Sequence, residues 1–192
     1  MASTMEKRYE EHAYILDFLP HGRPGIRPTG RAGYRAGALV QLVGEEFFTL
    51  LEALVKEGVA VKPHDRVYVG KDARDEITYI IGRIGYEELT AAAKMELPIV
   101  INKIVLNREK WFANFFNTAQ AITPRMHALE LIPGIGKKYM WQVINSRERK
   151  LFESFDDLQK RTELPSPAKL ITKRVMEELA GDSKYRLFTR AH

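Results

Sequence analysis

The residues best placed to do chemistry lie in the stretch LELIPGIGKKYMWQVI, positions 129–144, where Gly134 and Gly136 flank Ile135, Pro133 precedes them, and Lys137 and Lys138 follow. A helix start leaves several backbone N–H groups without partners and carries roughly half a positive charge. Glycines ahead of such a start carry no Cβ to block an anion from those donors, so a phosphate can rest directly on the backbone. Lysines in a first helical turn are electrostatically disfavoured, and their presence at 137 and 138 points to an external anion. Ile135 is expected to turn back between the helices as an anchor. The bland alternative is a tight interhelical turn with solvated lysines.

A second basic feature is HGRPGIRPTGRAGYRAG, positions 21–37, with Arg23, Arg27, Arg31 and Arg35 and no acid between Asp17 and Glu45. The four-residue spacing looks helical, yet five glycines and two prolines oppose a helix. The stretch reads as a long basic loop that grips phosphate, with Tyr34 available to stack on a base. Its alternative is a solvated loop, or one that meets a partner protein.

Other chemistries find little support. No cysteine is present, which removes disulfides, thiolate zinc sites and cysteine-held clusters. The five histidines are isolated, with no His-x-x-x-His pair, so no metal site and no cofactor is expected. GRPGIRPTG lacks the Gly-Lys-Ser/Thr of a phosphate-binding loop, and Asp72, Asp75 and Glu76 read as a solvated turn.

The 192 residues suffice for one ordinary domain or two small ones. Charged residues make up 29% of the chain, no apolar run approaches the ~20 residues of a membrane span, and no secretory leader is visible at the N-terminus. A cytoplasmic protein without membrane contact is expected. The net charge of +5 is placed unevenly: 16 Lys and Arg face 16 Asp and Glu up to position 124, against 14 and 9 from 125 onward. A basic C-terminal third beside a neutral remainder points to a polyanion partner.

The elements that must position these residues fall into two regimes meeting near 118–124. Before it, YILDFLP, ALVQLVG, VAV, RVYVG, ITYIIGRIG and LPIVINKIVL read as short strands of a small barrel or curled sheet. Two helices interrupt them. One spans 45–58, with Phe48, Leu51, Leu54 and Val55 at helical spacing; the other spans 85–97 and ends at Pro98. Trp111, Phe112, Phe115 and Phe116 also recur at helical spacing, which makes them core sooner than interface.

After the change the pattern is helical: RMHALELI enters the glycine turn, KKYMWQVINSRERK leaves it, SFDDLQKRT starts on Ser154 with acids in its first turn, and SPAKLITKRVMEELAG has Ser166 as cap, Pro167 at the first position and Gly181 as stop. Four helices thus pair around two turns, PGIG and ELPSP.

LELIPGIGKKYMWQVI resembles the helix-hairpin-helix motif: an apolar helix end, Pro-Gly-apolar-Gly, a basic pair, then an apolar helix. The resemblance implies a sequence-independent grip on a nucleic-acid backbone. Met140 departs from the alanine usual there. ELPSP, lacking glycine, looks like a degenerate second hairpin, and Ser166, Lys169 and Lys173 read more simply as a cap and an exposed face. The strand-rich part is similar to a modified OB-fold. The order of AYILDFLPHG, basic loop, barrel and glycine hairpin resembles an uncharacterised archaeal family of predicted RNA- or nucleic-acid-binding proteins, domain of unknown function 655.

The expectation is therefore an α+β protein: residues 1–117 form an OB-fold-like β-barrel with inserted helices and the basic loop 21–37, and residues 118–192 form an all-α tandem helix-hairpin-helix domain with its second hairpin degenerate. The expected activity is non-catalytic nucleic-acid binding, RNA before DNA, in translation or RNA metabolism, with ribosomal or RNA-processing proteins as partners. Gly134, Ile135, Gly136, Lys137, Lys138, Arg23, Arg27, Arg31, Tyr34 and Arg35 form the expected binding set. Two alternatives stand beside it. One is a protein-interaction scaffold. The other is a glycosylase of the helix-hairpin-helix superfamily, in which Lys138, two residues past Gly136, attacks a sugar and Asp156, eighteen further on, assists; a strand-rich domain stands where that superfamily has helices.

Overall fold

Runs of β-branched and large apolar residues between polar turns make the first half of the chain a sheet. The structure is a computed structural model and describes residues 9–23 and 37–191. Five strands, β1 (His12–Leu19), β2 (Leu39–Gly44), β3 (Leu50–Val55), β4 (Arg66–Tyr68) and β5 (Ile77–Arg83), pair antiparallel in the order β4-β1-β2-β3-β5. Register shifts at Ile15/Asp17, Glu52/Ala53 and Leu54/Val55 curl the sheet. One face carries the core of Ala13, Ile15, Val40, Leu42, Ala53, Val67 and Ile77.

The other face carries a polar row. Asp17 pairs across the ladder with Gln41, and Gln41 with Glu52. Gln41 is fully buried, donates to the Glu88 carbonyl (3.1 Å) and accepts from Thr90 N–H (2.9 Å). The Thr90 hydroxyl donates to Asp17 (2.6 Å) and accepts from Ala93 N–H (3.0 Å), so this row fixes the start of the helix that follows.

That helix is α1 (Ala91–Asn107), preceded by a 3-10 turn at Tyr86–Glu88. It revises two expectations. The helix expected over 85–97 begins later and runs through Pro98 instead of ending there, and LPIVINKIVL is helical and not a strand. Leu97, Val100, Ile101, Ile104 and Val105 are buried at a 3.6-residue period, and packing overrides the β-branched preference of the last four.

The helix expected over 45–58 is likewise a turn followed by β3. Phe48 takes a left-handed φ of 55° there, and the buried Glu10 carboxylate accepts from the N–H groups of Glu46 (2.7 Å), Phe47 (3.0 Å) and Thr49 (3.1 Å). β3 is buried on both faces, so its apolar residues show no alternation and mimic helical spacing. VAV at 59–61 pairs with no strand.

The later residues form α2 (Glu109–Thr118), a small hairpin of β6 (Ala121–Thr123) and β7 (Met126–His127), a 3-10 turn at Ala128–Leu131, then α3 (Lys137–Arg149), α4 (Phe155–Thr162) and α5 (Pro167–Ala180). RMHALELI is thus a strand end plus a 3-10 turn where an α-helix was expected. The cause is local: His127 N–H donates to Glu130 (3.0 Å) while His127 Nδ1 accepts from Leu129 N–H (3.1 Å), a reciprocal cap that commits the backbone early. In α2, Phe112 and Phe116 are fully buried, as their spacing predicts, while Trp111 is exposed.

The chain divides into two compact units, one reaching Val100 and including the residues from Phe188 on, the other Ile101–Leu187. This division falls inside α1, whereas the composition changes near 118. Among the described residues no helix is long and apolar enough to cross a membrane, and no group of side chains could hold a metal ion.

Candidate nucleic-acid interface

The glycine turn is built by constraints from both sides. On its N-terminal side the 3-10 turn closes with Ile132 N–H on the Leu129 carbonyl (3.2 Å), and Ile135 N–H reaches the Ile132 carbonyl (3.0 Å). Leu129, Ile132 and Ile135 are buried, so the turn is pinned by its apolar residues, Ile135 among them as expected. Gly134 has φ +92°, a conformation L side chains rarely adopt, and a Cβ there would stand 3.1 Å from Leu170 Cδ2 on α5. The backbone calls for glycine at 134, and a Cβ there would also need Leu170 to give by a few tenths of an ångström.

Gly136 differs. Its φ of −92° and ψ of −170° suit any residue, and nothing lies within 4 Å of where a Cβ would be. It is the N-cap of α3 and supplies no capping side chain, and no acid follows in the first turn. The first intrahelical bond runs from Met140 N–H to the Gly136 carbonyl (3.0 Å), so the N–H groups of residues 137–139 precede it. The result is an open, uncapped helix start.

Two cations flank it, each near a carboxylate. Lys137 Nζ lies 2.8 Å from Glu130 and Lys138 Nζ 3.8 Å from Glu163, with the lysine side chains 65% and 71% exposed. The bond from Lys137, then the one from His127 N–H, hold the Glu130 carboxyl below its ordinary value. His127 is lowered too, by burial first and by the Arg147 guanidinium second. Glu130 therefore both closes the preceding turn and answers Lys137.

Other cations of the C-terminal third are spent inside the unit. Arg147 donates to the Phe116 (3.0 Å) and Ala119 (2.7 Å) carbonyls at the end of α2, and burial lowers its affinity for its proton. Arg161 reaches the Ser146 (2.7 Å) and Lys150 (2.6 Å) carbonyls at the end of α3. Arg174, buried beside the buried Glu178 (2.9 Å), donates to the Leu131 carbonyl (3.1 Å) and so braces the approach to the turn. The count of basic residues overstates the charge free to meet a ligand.

Of the loop residues, Arg27, Arg31, Tyr34 and Arg35 lie outside the described residues. Arg23, expected in a phosphate-gripping loop, is described and is engaged on the sheet. Its Nε donates to Glu52 (2.8 Å) and its Nη2 to the Glu88 carbonyl (2.8 Å), so its charge is neutralised on the polar row of the sheet. In the second turn, Glu163 (φ 57°) and Ser166 (φ 41°) are both left-handed, and Ser166 stands at the cap of α5 without a side-chain capping bond. Lys138 and Asp156, the pair a lyase would need, are directed to Glu163 and to Lys160 (2.6 Å) respectively.

Sequence reasoning passed over Glu130, Glu163, Arg174 and Trp141. The first three act through contacts between segments. Trp141 is 55% exposed on α3, one turn beyond the lysines, and no pattern in the sequence separates it from a core aromatic.

Fold and site together define an α+β protein with, among the described residues, a curled five-stranded antiparallel sheet, five α-helices and a glycine-opened helix start carrying two lysines. The chain belongs to the family described as protein of unknown function (DUF655), whose model matches residues 9–190. It is 41% identical over 186 residues to an uncharacterized protein of Methanocaldococcus jannaschii, spanning 96% of this chain and 82% of that one. A crystal structure of a family member from Archaeoglobus fulgidus superposes with a TM-score of 0.83 at 46% identity, over 94% of this chain and all of the other.

Proposed function

We propose that this protein is a non-catalytic nucleic-acid-binding protein that grips the phosphate backbone largely independently of sequence, with RNA preferred to DNA. In this reading the curled sheet is an OB-fold-like module and residues 128–149 form the working half of a helix-hairpin-helix. The observation that carries it is the start of α3: an uncapped N-terminus behind Gly136, with Lys137 and Lys138 exposed in its first turn. Such a start offers aligned N–H donors, dipole charge and two exposed cations to one phosphate. Arg27, Arg31, Tyr34 and Arg35 are assigned to the same ligand on composition, and Arg23 is left to the sheet. The preference for RNA rests on the family resemblance.

The test is a titration of structured RNA, single-stranded RNA and duplex DNA at two salt concentrations. Affinity is expected to fall with salt, by a slope of about −0.7 per phosphate contacted on single strands, and Lys138→Gln to reduce that slope by about the same amount. Absence of binding to all three at low salt would overturn the reading and leave a protein-interaction scaffold in its place. Incubation with an abasic duplex and borohydride separates binder from lyase: a trapped adduct lost in Lys138→Ala contradicts the non-catalytic assignment.

A further inference from the structure

Tryptophan is among the more buried residues of folded proteins, and an indole half in solvent calls for a reason. The protein has two. Trp111, 49% exposed, has the Arg108 guanidinium 4.9 Å from its ring centre and Phe112 edge-on at 4.8 Å. Trp141 has no ring or cation against its face among the described residues. The buried side of α3 is taken by Met140 and Val143, so the core does not use this indole.

Its place on the helix is specific. Residues three and four apart share a face, so position 141 stands over both Lys138 and Lys137. Long side chains on a helix lean towards its N-terminus, which carries the indole towards the turn that Gly136 opens. An unclaimed aromatic face thus adjoins two exposed cations and the donors of a helix start.

We infer that Trp141 is a stacking platform for an unpaired nucleobase, and that this face takes a single strand in preference to a closed duplex. The inference rests on the phosphate reading above and narrows it. A phosphate held at the α3 start brings its neighbouring base within the reach of Trp141, and any base will stack, since each has a π-face. In a closed duplex those faces are occupied by neighbouring pairs. The charge supplies the grip, and the ring supplies selection for unpaired strands.

The experiment uses the full chain carrying Trp111→Phe, which leaves Trp141 as the one indole. A single-stranded RNA oligonucleotide is expected to quench its fluorescence, and the same oligonucleotide annealed to its complement to leave it unquenched. Trp141→Ala should weaken single-strand binding about five- to hundredfold. It should leave duplex binding, the salt slope and the melting temperature unchanged, and Trp141→Phe should restore part of the loss. Equal single-strand affinity in Trp141→Ala and its parent, or an equal loss for duplex, would overturn the platform. The phosphate seat itself is probed by Gly136→Asp: retained loss of binding there, with no effect at Trp141, sinks this inference alone, whereas no effect of Gly136→Asp sinks both.

Discussion

The starts of α3 and α4 lie eighteen residues apart in one chain and are built on opposite principles. At α4, Ser154 accepts from Asp157 N–H (3.1 Å) and Asp156 and Asp157 place negative charge on the helix dipole. At α3, Gly136 offers no side chain and two lysines add positive charge. The first start is satisfied by its own residues. The second leaves its donors open and its charge unmatched by the helix, and the carboxylates that answer it, Glu130 and Glu163, come from outside the helix. The start of α5 also lacks a side-chain capping bond, so what sets α3 apart is the pair of lysines behind an open glycine, the feature the proposed function assigns to a phosphate.

The largest effect is expected from closing the turn itself. Gly134→Val sets a β-branched residue at φ +92° and against Leu170, at a cost of about 2–3 kcal/mol in chemical denaturation. Converting α3 into a start of the α4 kind comes next. Gly136→Asp has room for its side chain and the backbone of a normal cap, so melting should stay level or rise slightly, while the carboxylate occupies the donors and RNA affinity falls about tenfold or more, some 1.4 kcal/mol. A variant that kept full affinity would erase the contrast between the two helices. The reverse change, Ser154→Ala, should lower stability by about 1 kcal/mol and leave RNA binding unaltered.

Acid supplies a smaller, graded test. His127 is lowered from 6.5 and Glu130 from 4.5 in the folded state. Groups depressed on folding lend stability that is complete above the unfolded value and lost as pH falls through the folded one. The unit holding α3 should therefore weaken first below about 6.5 through His127 and again below about 4.5 through Glu130. Glu130→Gln should remove the second phase from a series of melting curves. Smallest of all, Glu163→Gln frees Lys138 from an exposed carboxylate at 3.8 Å and should tighten RNA binding by about twofold, since exposed pairs contribute little.

The later helices were legible because their signals are local. Ser154 with its acids, Pro167 at a first turn and Gly181 at a last one announce ends that neighbours in sequence can satisfy. The strand at 50–55 was not, and of the helix over 91–107 only the first part, up to 97, was. β3 is buried on both faces, which removes the alternation that identifies a strand, and α1 keeps Pro98 and five β-branched residues because the packing of its buried side outweighs their preferences. Gly134 and Gly136 looked equivalent in the sequence, yet the structure holds Gly134 in a left-handed conformation and leaves Gly136 with an ordinary backbone and open space around it. Arg23 read as part of a phosphate-gripping loop and Arg147 only as one of the basic excess, and both are tied to backbone or carboxylate partners.

By itself the sequence determined the glycine turn, the lysines behind it and the order of strand-rich and helical parts, because turn chemistry, caps and hydrophobic period act over a few residues. Tertiary structure alone decided which charges are answered, which exposed aromatic has a partner and which glycine the backbone needs. Each of those depends on what another segment brings within a few ångströms: Leu170 against Gly134, Glu130 against Lys137, and no ring or cation against Trp141 among the described residues.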